Sequence, residues 1–156
     1  MILRYSKSRL FIGGALFIFL LSWYVSVFWY QLMLLQGNSM EPAYHSGQLL
    51  LLDKHTKAYQ AGDVIAIHKA HIKGLLVKRI AAVPGDIVYI HDGTIYINEE
   101  PQADFLIEYA GIAERPILLG EDFYFVLGDN LQESKDSRYA EIGLIKQTEI
   151  MGKVIQ

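Results

Sequence analysis

The sequence predicts a mainly β protein: an antiparallel β domain preceded by one N-terminal transmembrane helix. Three observations predict it. Residues 10–35 carry no charge at all. Beyond them the chain breaks into short runs rich in Ile, Val, Leu and Tyr, divided by turn residues. No second helix of consequence follows, and there is no repeat or low-complexity tract.

The 156 residues amount to one domain, or less once a membrane segment is set aside. A remainder of roughly 120 residues can still bury a real core. The formal net charge of −3, with no basic stripe, argues against nucleic acid as a partner. Cysteine is absent, which excludes a disulfide scaffold, cysteine catalysis and zinc–thiolate sites. It leaves the redox compartment undetermined.

The uncharged run comes first. As a helix, residues 10–35 would extend about 39 Å, against a hydrocarbon core of about 30 Å. Trp23, Tyr24, Trp29 and Tyr30 lie in its second half, where an aromatic belt would meet the interface. A cleavable leader would have a shorter apolar core and a small-x-small exit, which Leu32-Met33-Leu34-Leu35 does not offer. Arg4, Lys7 and Arg9 precede the run, and the first charge after it is Glu41. The positive-inside bias therefore predicts a cytoplasmic N-terminus (1–9), a membrane anchor (10–35) and an extracytoplasmic β-rich domain (36–156). Ser39, four residues beyond the run, is expected at or very near the membrane surface.

Strands are expected at 48–53, 63–68, 75–83, 86–91, 94–98 and 123–127, and 152–155 could close the sheet. Asp92-Gly93 is a strong type I′ hairpin signal, and Pro84-Gly85 marks another break. Residues 100–120, with Pro101, Gly111 and Pro116, read as a loop-rich excursion.

Three stretches carry candidate chemistry. Gly37-Asn38-Ser39-Met40-Glu41-Pro42 holds a serine in a turn, where backbone N–H groups could form part of an oxyanion hole. Serine in such a turn is also ordinary turn chemistry. A serine hydroxyl needs a base. Lys78, in Leu75-Leu76-Val77-Lys78-Arg79-Ile80, lines up with Leu76 and Ile80 on one strand face. Apolar surroundings lower a lysine's pKa and let it act as a base near neutral pH, although a strand lysine more often snorkels to water. Gly128-Asp129-Asn130 through Ser134, Asp136, Ser137 and Arg138 is the third stretch. None of the five histidines stands in a recognised metal pattern, and the acidic residues 129–136 lack the glycine of a calcium loop. Neither a cofactor nor a metal is expected.

Ser39-Met40, then Lys78-Arg79 with Val83-Pro84-Gly85-Asp86, then Gly128-Asp129-Asn130 with Ser134, Asp136, Ser137 and Arg138, resembles bacterial type I signal peptidases. The resemblance runs from about Leu35 to the end, and three motifs in register behind an anchor are specific. It implies a mostly β catalytic domain held against the outer membrane face, with Ser39 as nucleophile and Lys78 as general base. It implies that Ser134 hydrogen-bonds and orients the lysine, and that Asp129, Asp136 and Arg138 hold the segment in shape by charge-assisted hydrogen bonds. The substrates would be preprotein signal peptides cut after small-x-small, beside the lipid bilayer and near the secretion translocon. Gly37 departs from members that carry an oxyanion-binding serine there, and the short middle segment resembles the compact Gram-positive-like form. A specialised pilin- or conjugation-related peptidase would look similar. A self-cleaving repressor would need a DNA-binding domain and no span, the reverse of this chain. A non-catalytic membrane-tethered β module is the remaining alternative.

Overall fold

The computed structural model describes residues 7–102 and 106–155. Arg4, part of the basic flank, lies outside the described residues. Helix α1 (Lys7–Trp29) leads directly into strand β1 (Tyr30–Leu34). The segment Phe11–Trp29 is long and apolar enough to cross a membrane, and none of it is buried in the fold.

The uncharged run is therefore divided, not one helix to Leu35. Periodicity could not separate the two parts, because an unbroken apolar run suits a helix and a buried strand equally. Tertiary pairing decides it. Each β1 residue is matched to one of β2 (Leu49–Asp53), from Tyr30↔Asp53 to Leu34↔Leu49. Met33 packs on a buried cluster that contains Leu35, Leu50 and Leu52. The junction is also tied: the Lys54 N–H donates to the Trp29 carbonyl at 2.8 Å, and the Trp29 ring stacks on His55.

The remaining strands are β3 (Val64–Ile67), β4 (Leu76–Ala82), β5 (Ile87–His91), β6 (Thr94–Ile97), β7 (Glu100–Pro101), β8 (Ile117–Leu118), β9 (Phe123–Leu127), β10 (Ile145–Lys146) and β11 (Ile150–Ile155). Seven form a large sheet in the order β1-β2-β11-β3-β4-β9-β10, and four a small one in the order β7-β6-β5-β8. Every pairing is antiparallel. The expected strands are present with bounds trimmed by a residue or two, and 152–155 extends back to Ile150. Sequence reading missed β1, β7, β8 and β10. The last three are two-residue strands with no periodicity to detect, and β7 and β8 give the expected excursion its own structure.

The turn between β5 and β6 holds Asp92 and Gly93 at φ 47° and 76°. A type I′ turn requires positive φ at both positions, as the Asp-Gly pair predicted. Three apolar clusters fill the fold. One joins β2, β3 and β4 to Leu35, Met40 and Tyr44. A second gathers Ile65, Ile67, Ile80, Tyr124 and Val126. The third packs the small sheet, through Val88, Ile90 and Ile95, against Phe125 of β9. Strand β4 runs through all three, so its side chains are held from both ends.

Candidate active site

Ser39 sits in the tight turn that follows β1. Two backbone hydrogen bonds shape the turn, from Glu41 N–H to the Asn38 carbonyl and from Tyr44 N–H to the Met40 carbonyl. Met40 is fully buried and plugs the turn into the core. Gly37 stands at φ +88°, left-handed backbone that favours glycine, and its N–H donates to Ser46 Oγ at 3.2 Å.

Lys78 lies in the middle of the large sheet, on β4 between β3 and β9, and is only 3% exposed. It is not an edge lysine snorkelling to water. Its Nζ donates to Ser39 Oγ at 2.6 Å. Two residues 39 positions apart are thus brought into direct contact. Burial disfavours the ammonium and lowers its pKa from 10.5 to about 8, although the negative charges of Asp136 and Asp129 pull it back up. No histidine hydrogen-bonds the serine among the described residues.

The segment after β9 is strapped to this pair. The Asn130 N–H donates to the Ser39 carbonyl at 3.0 Å, and the Asn130 amide reaches the Asn38 carbonyl at 3.3 Å. Gly128 packs so closely that a Cβ there would collide with Ser134 Oγ and the Ser39 carbonyl oxygen. That crowding explains a glycine at this position better than backbone freedom does.

Asp129 and Asp136 take different partners. Asp129 receives two parallel hydrogen bonds from Arg79, at 2.8 and 2.6 Å, which join the segment to β4 beside Lys78. Asp136 accepts from Arg138 Nε at 2.7 Å and Nη2 at 3.0 Å, and from the Gly128 N–H at 3.1 Å. Arg138 also donates to the carbonyls of Leu131 and Ser134. This pair is almost wholly buried, at 0% and 2% exposure, so each charge depends on the other. Both pairs are charge-assisted hydrogen bonds, and Arg79, not Arg138, is the partner of Asp129.

Ser134 is buried beside Gly128 and the Ser39 carbonyl, but among the described residues its Oγ makes no hydrogen bond, to Lys78 or to any other. The orienting bond that the resemblance implied is not formed here. Sequence reading had assigned no role to three residues. Arg79 clamps Asp129, Asn130 holds the serine turn, and Ser137 Oγ accepts the Val126 N–H at 2.9 Å. All three stood inside the quoted motifs, and the arginine next to Lys78 with an aspartate in a distant motif was the available signal.

Comparison with known proteins fits this geometry. The family model described as signal peptidase, peptidase S26, matches residues 9–156. The chain is 32% identical over 142 residues to Signal peptidase I of Bacillus licheniformis, covering 82% of this chain and 76% of that protein. It is 31% identical to Signal peptidase IB of Staphylococcus aureus, covering 77% and 73%. Among solved structures, a signal peptidase I from Enterococcus faecalis superposes with a TM-score of 0.50 at 28% identity, over 64% of this chain and 97% of that one.

Proposed function

The chain belongs to the signal peptidase S26 family, and from that membership we propose that it removes signal peptides with a Ser39–Lys78 dyad. The observation that carries the reading is the 2.6 Å contact between Ser39 Oγ and a buried lysine whose pKa is lowered to about 8. A neutral lysine at that distance is a general base in reach of its proton.

The reaction runs in two halves. Neutral Lys78 takes the Ser39 proton as Oγ attacks the carbonyl carbon of the scissile bond. The oxyanion meets the Ser39 N–H, which donates to no backbone carbonyl among the described residues. Collapse breaks the C–N bond, and the departing amine of the mature chain takes the proton from the Lys78 ammonium. Lys78, neutral again, then deprotonates a water that attacks the serine ester. The signal peptide leaves as a carboxylic acid, and Ser39 recovers its proton.

The substrate lies extended. Among the described residues strand β1 pairs on one side only, with β2, and the turn that holds Ser39 follows it. A peptide added along its free edge would turn alternate side chains toward the enzyme. Leu35, Met40 and Val77 form a filled apolar wall beside the dyad. That favours small residues at the first and third positions before the scissile bond. The membrane arrangement is part of the proposal: α1 spans the bilayer with its N-terminus in the cytoplasm, and the β domain lies outside near the translocon. Exposed Leu32, Leu34, Leu49, Leu51 and Ile155 support it. The first and second pairs lie opposite one another across β1 and β2, and Ile155 continues the Leu51 row.

The test is Ser39→Ala in the full chain in detergent, with a preprotein as substrate. Turnover should fall by several orders of magnitude while the circular dichroism spectrum is unchanged. Near-normal cleavage by the alanine variant would remove Ser39 from the mechanism.

A further inference from the structure

The excursion between β7 and β8 reaches the catalytic segment from behind. Its short 3₁₀ turn (Gly111–Glu114) starts where only glycine fits. Gly111 stands at φ +57°, and a Cβ there would collide with the Arg138 carbonyl oxygen and the Tyr109 ring. The next residue uses that closeness, since the Ile112 N–H donates to the Arg138 carbonyl at 3.0 Å. The turn is itself anchored in the small sheet. Ala113 is fully buried in the cluster of Val88 and Ile90, and the Ile107 N–H donates to the Gly93 carbonyl at 2.8 Å. Tyr109 also packs on Tyr139, the neighbour of Arg138, with ring centroids 4.8 Å apart.

Arg138 is therefore held from two directions. Its carbonyl is fixed to the turn, while its guanidinium binds Asp136 and the carbonyls of Leu131 and Ser134. Those partners all belong to the segment whose Asn130 N–H holds the Ser39 carbonyl and whose Asp136 accepts the Gly128 N–H. Because Arg138 is almost wholly buried, a push on its backbone has no free space to relax into and must pass to this segment. The consequence reaches the base. Besides burial, the charges acting on Lys78 are Asp136, Asp129 and Arg138, and Asp129 is itself paired with Arg79. The two carboxylates favour the ammonium, and Arg138 opposes it. Loosening Arg138 would leave the carboxylates less opposed and favour the protonated lysine.

We propose that the Gly111–Ile112 backbone is a positioning element for the reaction, bracing Arg138 from outside and so seating the segment that carries Asp136 and Asn130 against the dyad. The inference rests on the Ser39–Lys78 reading. The test compares Gly111→Ala with Gly143→Ala in the full chain in detergent, measuring Tm and the pH profile of preprotein cleavage. Gly143 is a matched control, at φ +58° with the Ala140 carbonyl oxygen, 3.7 Å away, the nearest atom to an added Cβ. Both alanines carry the same left-handed strain, which should lower Tm by roughly 4 °C, and the collision should lower it further at Gly111. Only Gly111→Ala should also move the rising limb of activity toward higher pH, by about one unit. Its kcat/KM should then fall roughly tenfold at pH 7 and be largely restored at pH 10. Tyr109→Leu, at an exposed ring, loosens the same contact without a collision and should give a smaller alkaline shift. It decides the matter should Gly111→Ala fail to fold. A lower Tm with the limb unmoved would make the turn structural only and overturn the inference, as would an equal shift in Gly143→Ala. A preprotein left uncut by the wild-type chain would overturn the Ser39–Lys78 reading and this inference with it.

Discussion

Lys78 should be a liability to the fold as well as the source of activity, and Lys78→Met separates the two. Its pKa lies at about 8 in the folded protein against an ordinary 10.5. At about 1.36 kcal/mol per pH unit, the charged lysine costs the folded state roughly 3 kcal/mol. Methionine has similar length and no charge, so it removes that cost. It also leaves Ser39 Oγ without its partner, which returns about 1 kcal/mol. The net gain is about 2 kcal/mol, or roughly 8 °C in Tm for a domain of this size. The gain should depend on pH. Between about 8 and 10.5 the unfolded chain keeps a proton that the folded chain has released, so wild-type stability rises with pH across that window. The advantage of methionine is therefore full below pH 8 and gone above 10.5. Activity in the wild type should climb roughly tenfold per pH unit up to about 8 and then level off. Lys78→Arg keeps a charge that cannot be lost and should be as inactive as Lys78→Met. The assay is thermal unfolding of the full chain in detergent across pH, beside cleavage of one preprotein. A methionine variant less stable than wild type at pH 7, or equally stabilised at every pH, would refute the burial argument. Activity in either variant would refute the base.

Asp136→Asn leaves Arg138 buried and uncompensated, so the fold should lose roughly 3–5 kcal/mol; an unchanged unfolding midpoint would show that the pair is not what secures the segment. Ser134→Ala removes a buried hydroxyl without a partner in the fold, so stability should hold or rise by about 1 kcal/mol. Its turnover should fall, but less than on loss of Ser39 or Lys78, and wild-type kinetics would place Ser134 outside the site. A bulky residue placed in turn at the three positions before the scissile bond should block cleavage at the first and third and be tolerated at the second. Equal tolerance at all three would mean that Leu35, Met40 and Val77 do not set the substrate pattern.

The strands with alternating or β-branched sequence were readable because each carries its own signal, as in Val64–Ile67 and the Asp92-Gly93 hairpin. The Ser39–Lys78 pairing was readable only from motifs taken together, since neither residue is distinctive alone. What escaped depends on partners far along the chain. Nothing local says that Tyr30–Leu34 will pair with Leu49–Asp53. Nothing local says that Arg79 will reach Asp129 across 50 positions. The Ser134 hydroxyl shows the converse. The resemblance located it in the site, whereas its hydrogen bond depends on side-chain geometry that a motif does not specify.

The divided apolar run changes how the proposed membrane arrangement must work. Were 10–35 all helix, Ser39 would follow the bilayer after four residues. With the helix ending at Trp29, the five residues of β1 intervene, about 17 Å of extended chain. An upright strand would lift the serine well clear of the lipid. The exposed leucines argue otherwise, because Leu32 and Leu34 on β1 and Leu49 and Leu51 on β2 form one apolar face contiguous with the helix. Laid against the headgroups, that face holds the strand along the surface. The Lys54–Trp29 bond and the Trp29–His55 stack would fix the bend between helix and strand. The same apolar residues that read as one span would then serve in two ways, crossing the bilayer and seating the catalytic sheet on it. That keeps Ser39 within reach of a substrate still tethered in the membrane.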